Sequence, residues 1–391
     1  MKKVLIVNKS FALGGIETAM LNMINNLSEE YNIDLCLYYP EGPLKNRLPN
    51  YVKVIETNPY IKAIGMSFKE CLFKGSFKQK IFRIFATIWT KVFNNKLPIS
   101  FALRKQSKLK GYDIAIAYHH ETDKKTLNSG FSRFVECCVE ADNKFAWIHY
   151  DPDYVGFDEK YNDKFYKKMD KIVCVSGTIK DKFIKYHNSL ISKTEVCYNF
   201  LDFKRIYKLC DEKQRIKYDS KNINLFSACR LTKEKGLPRG ISAVADLLRK
   251  NRQVKWFIAG EGQEKSQILK IIHDENLEES IILLGHLENP YPYIKNADML
   301  MVVSYHEAAP MVYMEAKALN TCIFSTNISS ANEILKNGLD AFICENSREG
   351  IHDMLENILK EPEKLLQHRN KMIVPYNNEK IIRTIKNIFE N

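Results

Sequence analysis

Short apolar runs alternate along the whole chain with longer amphipathic stretches, and this alternation constrains the fold more than any other feature. The run 299–303 is apolar throughout, which is typical of a strand covered on both faces of a parallel sheet. Strands that alternate with helix-length segments favour an α/β architecture. The predicted strands are 4–7, 33–39, 52–56, 113–118, 144–149, 172–176, 195–198, 224–229, 254–259, 281–284, 299–304, 322–325 and 341–344.

The length and one break in the pattern predict two domains. At about 150 residues per domain, a chain of 391 residues suffices for two domains that each bury a core. The stretch 201–222 is polar and charged and has no strand pattern, so we expect a first domain over 1–200 and a second over 201–375. A final helix over 376–391 has one apolar face and is expected to pack against another element.

Most of the net positive charge lies in one segment, residues 62–110. The chain has 59 Lys and Arg against 47 Asp and Glu, which gives a formal net charge of +12. Glu70 is the single acid of this segment, so the rest of the chain is nearly neutral. The basic residues of the segment are Lys62, Lys69, Lys74, Lys78, Lys80, Arg83, Lys91, Lys96, Arg104, Lys105, Lys108 and Lys110.

Apolar side chains are interleaved with these cations at helical spacing. This pattern favours an interfacial helix on an anionic membrane surface. Alternatively, the apolar face packs onto the first domain and the cations are merely solvated. Nucleic-acid binding is disfavoured because no recognition fold accompanies the segment. The residues that share the apolar face are Ile81, Ile84, Phe85, Ile88 and Val92, and the cations that lie largely away from it are Lys80, Arg83 and Lys91.

The cysteines indicate a reducing compartment. None of the ten cysteines forms a Cys-x-x-Cys pair, and no Cys/His cluster has the spacing of zinc ligands. We therefore expect buried, reduced thiols, no metal site and a cytoplasmic location. The apolar run that begins at Val4 stops at Asn8, too early for a signal peptide, and no run reaches the ~20 apolar residues of a membrane span.

Glycine-rich turns follow several of the predicted strands. Gly14 and Gly15 lie between the first strand and a helix, where free N–H groups attract anions; the alternative is a simple turn. Gly260 and Gly262 follow one strand of the second domain, and His286 follows another. Ligands of open α/β sheets bind at the carboxyl ends of the strands, so these residues are candidate binding residues. No Gly-x-Gly-x-x-Gly fingerprint surrounds Gly14, which argues against a dinucleotide.

Two cations and two carboxylates of the second domain complete the candidate site. Arg230 and Lys235 share a strand-to-helix loop, where they suit a diphosphate; a solvated charged loop is the alternative. Glu307 and Glu315 straddle a helix start at which Pro310 is well placed. Glu315 lies in an otherwise apolar stretch and needs hydrogen-bonding partners such as sugar hydroxyls. Glu307 alone could also be an acid favoured by the helix dipole.

Together these motifs resemble those of the family 4 glycosyltransferases (glycosyltransferase group 1). These are retaining enzymes of the GT-B fold, in which two Rossmann-like, doubly wound α/β domains face each other across a cleft and a C-terminal helix returns to the first domain. The matching elements are Glu307 and Glu315 (the E-x7-E motif), Arg230 and Lys235-Gly236 (the diphosphate-binding element), Gly14-Gly15 (the amino-terminal glycine loop), Trp147-Ile148-His149-Tyr150-Asp151 (the strand-end segment with an active-site histidine) and Asn199-Phe200-Leu201-Asp202 (the segment before the interdomain linker).

The resemblance implies a nucleotide-diphosphate sugar on the second domain and no metal or other cofactor. Arg230 and Lys235 are then expected to stabilise the leaving diphosphate, and Glu315 to bind the ribose. The other implied contacts to the donor or acceptor come from Glu307, from N–H groups near Ala308 and Ala309, from Gly15 and from His149. The implied acceptor is a lipid-linked saccharide or glycolipid of bacterial surface polysaccharide synthesis, such as capsule or lipopolysaccharide, which predicts an enzyme peripheral to the inner face of the cell membrane.

The sequence departs from the family pattern where glycine is usual, at Phe200, at Asn320 and in the segment 329–331. These changes bear on the donor sugar and on loop shape. Two other functions remain open, a sugar-nucleotide epimerase of similar fold and a non-catalytic sugar-nucleotide-binding protein. The weaker candidates for the acceptor side are His119, His120 and Glu121.

Overall fold

The computed structural model describes residues 1–154, 159–213, 217–250, 252–369 and 377–390. Each predicted strand is present, with ends that differ by a few residues. The strands are β1 (Lys3–Asn8), β2 (Asn32–Leu37), β3 (Lys53–Ile55), β4 (Leu109–Ala117), β5 (Val139–Ile148), β6 (Lys171–Cys174), β7 (Thr194–Val196), β8 (Ile223–Ala228), β9 (Val254–Ala259), β10 (Ile281–Gly285), β11 (Met299–Val302), β12 (Cys322–Thr326) and β13 (Ala341–Cys344).

Helices connect most of the consecutive strands. Three short 3-10 helices cover Pro43–Arg47, Asn188–Lys193 and Lys233–Lys235. The α-helices are α1 (Gly15–Leu27), α2 (Pro59–Gly65), α3 (Phe68–Lys74), α4 (Phe77–Val92), α5 (Lys96–Arg104), α6 (Phe131–Cys138), α7 (Glu159–Tyr166), α8 (Gly177–Tyr186), α9 (Phe203–Leu209), α10 (Leu237–Arg249), α11 (Lys265–Asp274), α12 (Tyr291–Asn296), α13 (Met311–Ala318), α14 (Ala331–Ile334), α15 (Arg348–Lys360), α16 (Glu363–Arg369) and α17 (Asn378–Glu390).

The chain divides into two compact units, each built on one parallel sheet. The first unit comprises Met1–Phe200 and Asn378–Asn391, and the second Leu201–Asn377. The first sheet has the order β3-β2-β1-β4-β5-β6-β7, and the second has the order β10-β9-β8-β11-β12-β13. In both, the strand order reverses beside the first strand of the unit, so each unit has the doubly wound topology expected from the sequence.

The first unit includes the last helix of the chain. The Phe389 ring lies edge-on to Tyr31 at 5.2 Å and stacks on Phe145 at 5.8 Å. Lys2 Nζ donates a hydrogen bond to Phe389 O at 3.0 Å. Helix α17 therefore packs on the first unit through its apolar face, as expected. The predicted helix also contained residues 376 and 391, and the predicted second domain contained 370–375; these lie outside the described residues.

The second unit has apolar layers on both faces of its sheet, which explains the continuous apolar run at β11. Met299, Met301 and Val303 belong to one buried cluster, together with Trp256. Leu300 belongs to a different cluster. Successive side chains of a strand point to opposite faces, so a strand covered on both sides is apolar throughout.

A helical insertion, α2 to α5, lies between β3 and β4 of the first unit. Arg83 of α4 is buried, and its Nη1 donates to Ala63 O at 3.0 Å and to Ile64 O at 3.1 Å. These carbonyls lie in the last turn of α2, where helix carbonyls lack intrahelical partners. The expectation that Arg83 is a surface cation is therefore wrong, because its guanidinium caps another helix.

The apolar face of α4 is exposed. The predicted alternative, in which this face packs onto the first domain, is therefore wrong, because α4 buries its opposite side instead. Among the described residues, we find no helix that combines the length and the apolar composition of a membrane span. The exposed apolar residues of α4, spaced as one stripe, are Phe77, Ile81, Ile84, Phe85, Ile88 and Val92.

Candidate functional site

In the second unit, the loops after β8 and β11 bring Lys235 and Glu307 into contact. The Lys235 ammonium forms an ion pair with Glu307 Oε1, although the two residues are 72 positions apart. The side chains are 15% and 18% exposed, respectively. Ser304 Oγ donates to the same carboxylate oxygen at 2.9 Å. The pair thus sits at the carboxyl edge of neighbouring strands, where α/β sheets bind ligands.

The electrostatics of this pair keep Lys235 protonated. Burial alone would lower the pKa of Lys235, but the charge and the hydrogen bond of the Glu307 carboxylate outweigh burial and raise the pKa above its usual value. A charged lysine with little exposure is a strong electrostatic partner for an anion that enters the site, because solvent screens it weakly. The arrangement therefore suits a ligand that carries both phosphate oxygens and hydroxyl groups.

Gly236 explains how the two loops approach each other. Its φ is +63°, a left-handed conformation that favours glycine. A Cβ at this position would lie 2.3 Å from Val303 O. Any other residue would push the Lys235 loop away from the end of β11, so glycine is required for the contact between Lys235 and Glu307.

The predicted binding glycines Gly260 and Gly262 shape the neighbouring loop. A Cβ on Gly260 would lie 1.8 Å from Cys229 O, and a Cβ on Gly262 would lie 2.2 Å from Leu231 O. The turn after β9 thus packs directly on the loop that carries Arg230. These contacts give both glycines a packing role, and a direct contact with ligand stays a prediction.

The remaining predicted residues of this unit are more exposed. Arg230 is 63% exposed, and its Nη2 lies 3.3 Å from Glu234 Oε1. His286 is exposed after β10, the edge strand of the sheet. Its position places it furthest along the sheet from the loop that carries Glu307.

The segment between β11 and α13 leads from Glu307 to Glu315. Ala308 is buried and Ala309 is partly exposed. Helix α13 begins at Met311, directly after Pro310, so the predicted helix start is correct. Glu315 is the fifth residue of α13 and is partly buried. The two glutamates of the E-x7-E pattern therefore lie on either side of one helix start.

In the first unit, Gly14 and Gly15 follow β1 and His149 follows β5, and β4 lies between these two strands. The strand order β1-β4-β5 puts the loops after these strands at one edge of the sheet. Gly14 precedes α1 in an extended conformation, and Gly15 is its first residue. A Cβ on Gly15 would meet nothing within 4 Å. Neither packing nor backbone conformation requires glycine at position 15. The absence of a side chain there leaves open space in which a ligand can approach the backbone.

His149 is a neutral imidazole in this structure. Its ring lies 4.6 Å from the Tyr118 ring. Burial, with a smaller effect of His119, lowers the pKa of His149 to about 3. Within the described residues, the buried Nε2 of His149 has no hydrogen-bond partner. Because buried polar atoms are nearly always paired, His149 Nε2 is well suited to a hydrogen bond with a substrate hydroxyl.

Glu121 has a structural role, which corrects its prediction as a weaker acceptor-side candidate. Its carboxylate is buried and accepts hydrogen bonds from Ser129 Oγ at 2.6 Å, from Gly130 N at 2.8 Å and from Ser132 N at 2.9 Å. These donors surround the start of α6, so the carboxylate caps that helix. The neighbouring His120 is buried, and burial lowers its pKa well below the usual value.

The three departures from the glycine pattern each have a local explanation. Asn320 has a φ of 55°, and asparagine is the residue that best replaces glycine in this conformation. Phe200 is buried, and its carbonyl accepts a hydrogen bond from Asn22 Nδ2 at 3.0 Å. Ser330 of the segment 329–331 is buried, and its Oγ lies 3.4 Å from Glu307 O. Each of these residues therefore fits its local structure, and Ser330 does so beside Glu307.

Residues 211–374 match the family model of the glycosyl transferases group 1. The matched residues make up most of the second unit and less than half of the chain. An uncharacterized glycosyltransferase of Methanocaldococcus jannaschii is 28% identical over 177 residues, which is 44% of this chain and 44% of the relative. An N-acetylgalactosamine-N,N'-diacetylbacillosaminyl-diphospho-undecaprenol 4-alpha-N-acetylgalactosaminyltransferase of Campylobacter jejuni is 28% identical over 198 residues, 49% of this chain and 52% of the relative.

The match spans about half the length of these curated relatives. A capsular polysaccharide biosynthesis glycosyltransferase of Staphylococcus aureus is 23% identical over 203 residues, 49% of this chain and 52% of the relative. Over the full length, the fold is similar to that of Anabaena HepE, with a TM-score of 0.69 and 16% identity. The comparison covers 99% of this chain and 100% of HepE, whose crystal structure contains UDP and glucose. The chain therefore has the predicted GT-B fold of two Rossmann-like units.

Arg239 is a residue of this site that sequence reasoning missed. Its guanidinium donates to Val303 O at 2.8 Å and to Ser304 O at 2.9 Å, beside the loop of Glu307. Its position three residues after Gly236 gives no distinctive signal in the sequence. The sequence does not show that its hydrogen-bond acceptors lie more than sixty residues away.

Proposed function

We propose that this protein is a retaining glycosyltransferase that moves a sugar from a nucleotide-diphosphate sugar to a saccharide acceptor of surface polysaccharide synthesis. The observation that carries the proposal is the contact between Lys235 and Glu307 at the carboxyl edge of a group 1 glycosyltransferase domain. At this edge, Lys235 provides a cation suited to a leaving phosphate. Glu307 provides a carboxylate suited to sugar hydroxyls, in the same partly buried site.

In the proposed reaction, the acceptor oxygen bonds to the anomeric carbon while the bond from that carbon to the diphosphate oxygen breaks. The acceptor proton passes to the departing diphosphate. Retention requires attack on the face from which the diphosphate leaves. Lys235 and Arg230 oppose the negative charge that grows on the leaving group, a contribution of about 100- to 1,000-fold in rate for one well-placed donor.

The other residues bind and orient the substrates. Glu307 accepts hydrogen bonds from the donor sugar, and Glu315 accepts them from the ribose. The N–H groups near Ala308 and Ala309 lie in the same turn and hold the sugar or a phosphate. In the first unit, Gly15 and the neutral His149 contribute to binding of the acceptor. Two cations meet the diphosphate charge, so the reaction needs no divalent metal.

The first experiment identifies the donor and tests the site. A thermal-shift panel of UDP, GDP, CDP and ADP sugars should show one nucleotide class that raises the melting temperature, because a ligand bound to the native state stabilises it. With that donor and a saccharide acceptor, Lys235→Met and Glu307→Gln should each lower kcat about 100-fold or more. Lys265→Met is the matched control, because Lys265, the first residue of α11, forms a surface ion pair with Glu261.

Full turnover in Lys235→Met or Glu307→Gln would contradict the assignment. Incubation with the sugar nucleotide alone separates the two alternatives. An epimerised sugar nucleotide would identify an epimerase, and donor binding with no transfer to any acceptor would identify a binding protein. Transfer that is lost in EDTA and restored by manganese would contradict the metal-independent mechanism.

We further propose that the acceptor is lipid-linked and that the helical insertion rests on an anionic membrane surface. Six apolar residues of α4 form an exposed stripe while the helix buries its opposite side. Exposed apolar patches of this kind mark protein or membrane interaction sites. Of the basic residues in 62–110, nine are exposed, Lys62 and Lys80 are half-buried and Arg83 is buried. The cations that flank the stripe favour an anionic lipid surface.

The acceptor of the Campylobacter jejuni relative, by its name, is carried on diphospho-undecaprenol, which supports a lipid-linked acceptor here. A protein peripheral to the inner face of the cell membrane would meet such an acceptor by two-dimensional diffusion. Co-sedimentation with vesicles of phosphatidylcholine, with and without phosphatidylglycerol, tests the proposal. Binding that does not depend on phosphatidylglycerol would contradict an anionic lipid partner.

A further inference from the structure

The segment 303–305 lies two residues before Glu307, and Arg239 of α10 binds its first two carbonyls. Arg239 Nη2 donates to Val303 O at 2.8 Å and to Ser304 O at 2.9 Å. Arg239 Nε donates to Val303 O at 3.2 Å. One guanidinium therefore binds two successive carbonyls just beyond the end of β11.

Asn346, from the loop after β13, completes the hold on this segment. Arg239 Nη1 donates to Asn346 O at 3.0 Å. The Asn346 amide in turn donates to Tyr305 O at 2.9 Å. The guanidinium also lies 3.8 Å from the centre of the Tyr305 ring, which adds a cation–π contact. We use the name clamp for Arg239, Asn346 and their contacts with residues 303–305.

Two further contacts connect the clamp to both functional side chains. Tyr305 N donates to Glu234 O at 2.8 Å, in the residue before Lys235. Ser304 Oγ donates to Glu307 Oε1 at 2.9 Å. The backbone held by Arg239 is therefore bonded on one side to the Lys235 loop and on the other to the Glu307 carboxylate.

Val303 packs in the apolar core, whereas Tyr305 is exposed, so hydrogen bonds and the ring contact fix the outer end of this segment. The planar fork of arginine can serve Val303 O, Ser304 O and Asn346 O at one time, whereas a lysine ammonium offers a single point of donation. Small misplacements of catalytic groups cost large factors in rate. The identity of residue 239 should therefore affect the chemistry, not only the stability.

We propose that Arg239 is a positioning residue that sets the location of Glu307 relative to Lys235 and thereby the rate of sugar transfer. This inference rests on the proposed function. Arg239 itself need not touch the donor, because it acts through the backbone of residues 303–305. Its replacement should therefore lower kcat and change the KM for the donor little.

The test compares Arg239→Lys with Arg348→Lys. Arg348 is a matched control because its fork also reaches α10, where Nε donates to Ser242 Oγ at 2.9 Å and Nη2 pairs with Asp246. We expect Arg239→Lys to lower kcat about tenfold or more with less than a threefold change in donor KM. Arg348→Lys should keep kcat within about twofold, at a comparable loss of unfolding free energy in urea.

Amide hydrogen exchange at Tyr305 gives a readout that needs no substrate. Loss of the clamp should accelerate exchange at this amide in Arg239→Lys and in Asn346→Ala, and not in Arg348→Lys. Unchanged exchange in Arg239→Lys, or an equal loss of kcat in Arg348→Lys, would overturn the proposal. If the wild-type protein transfers no sugar, the proposed function fails, while hydrogen exchange still decides whether Arg239 holds this segment.

Discussion

Replacing two of the three exposed isoleucines of α4 should weaken binding to anionic vesicles without weakening the fold. Ile81 and Ile88 are 53% and 59% exposed and lie two turns apart on the apolar stripe. Burial of a whole isoleucine side chain contributes about 1.5–3 kcal/mol, so insertion of the exposed half into lipid should contribute about 1 kcal/mol for each residue.

The double variant Ile81→Ser/Ile88→Ser should therefore lose about 2 kcal/mol of membrane binding, which corresponds to about 30-fold in the partition coefficient. Serine and isoleucine have similar helix propensities, and surface changes of this kind usually alter the unfolding free energy by about 0.5 kcal/mol or less. We therefore expect the double variant to change the partition coefficient strongly and the unfolding free energy little. This combination is what an exposed membrane-binding face predicts.

The assay is co-sedimentation with vesicles that contain phosphatidylglycerol, at several lipid concentrations, together with urea unfolding. Ile191→Ser is the matched control, because Ile191 is 55% exposed on the 3-10 helix Asn188–Lys193, outside the helical insertion. An unchanged partition coefficient in the double variant would refute the membrane assignment of this face. An equal loss in Ile191→Ser would show that general hydrophobicity, not the stripe, governs the binding.

Three further predictions concern buried and strained residues. The pKa of His149 is about 3 in the folded protein and about 6.5 in an unfolded chain, so the unfolded state binds more protons between these pH values and the unfolding free energy should fall as the pH drops below about 6.5, by up to about 1.4 kcal/mol per pH unit. Urea unfolding at several pH values should show that the unfolding free energy of His149→Phe depends less on pH than that of the wild type. An unchanged dependence on pH would contradict the low pKa of His149. Lys317 is buried and donates to Asp340 Oδ2 at 2.6 Å, so Lys317→Ala should lower the unfolding free energy in urea by about 3–5 kcal/mol, because it leaves a buried carboxylate without its partner. A loss below about 1 kcal/mol would contradict this role of the ion pair. Asn320→Gly should have a melting temperature equal to or higher than that of the wild type, and Asn320→Val should have a lower one, because the positive φ disfavours β-branched residues. A melting temperature of Asn320→Val equal to that of Asn320→Gly would contradict this reasoning.

Much of the fold follows from local patterns that are visible in the sequence. A strand covered on both faces is apolar at every position, so β11 can be recognised without its neighbours. The helix start near Pro310 and the apolar face of α17 have similarly local causes. The Lys235 and Glu307 motifs could be found by their spacing from the preceding strands, because parallel strands place their carboxyl ends at one edge of a sheet.

The pairing of those two residues depended on tertiary structure. It needs the adjacency of β8 and β11 and the close approach at Gly236, where a Cβ would lie 2.3 Å from Val303 O. Arg239 carries no distinctive sequence signal, since its acceptors Val303 and Asn346 are 64 and 107 positions away. A side chain that bonds distant backbone atoms can be recognised only once the fold brings those atoms to it.

The segment 62–110 also shows what the sequence determines and what only the tertiary structure decides. The sequence by itself determined that about eleven of twelve net charges lie there, because charge is additive along a chain. It also determined that α4 has one apolar face. Only the tertiary structure decided which face of α4 is exposed and that Arg83 is buried. The physical reason is that the free carbonyls at the end of α2 need a donor, and Arg83 supplies it from the side of α4 opposite the apolar stripe.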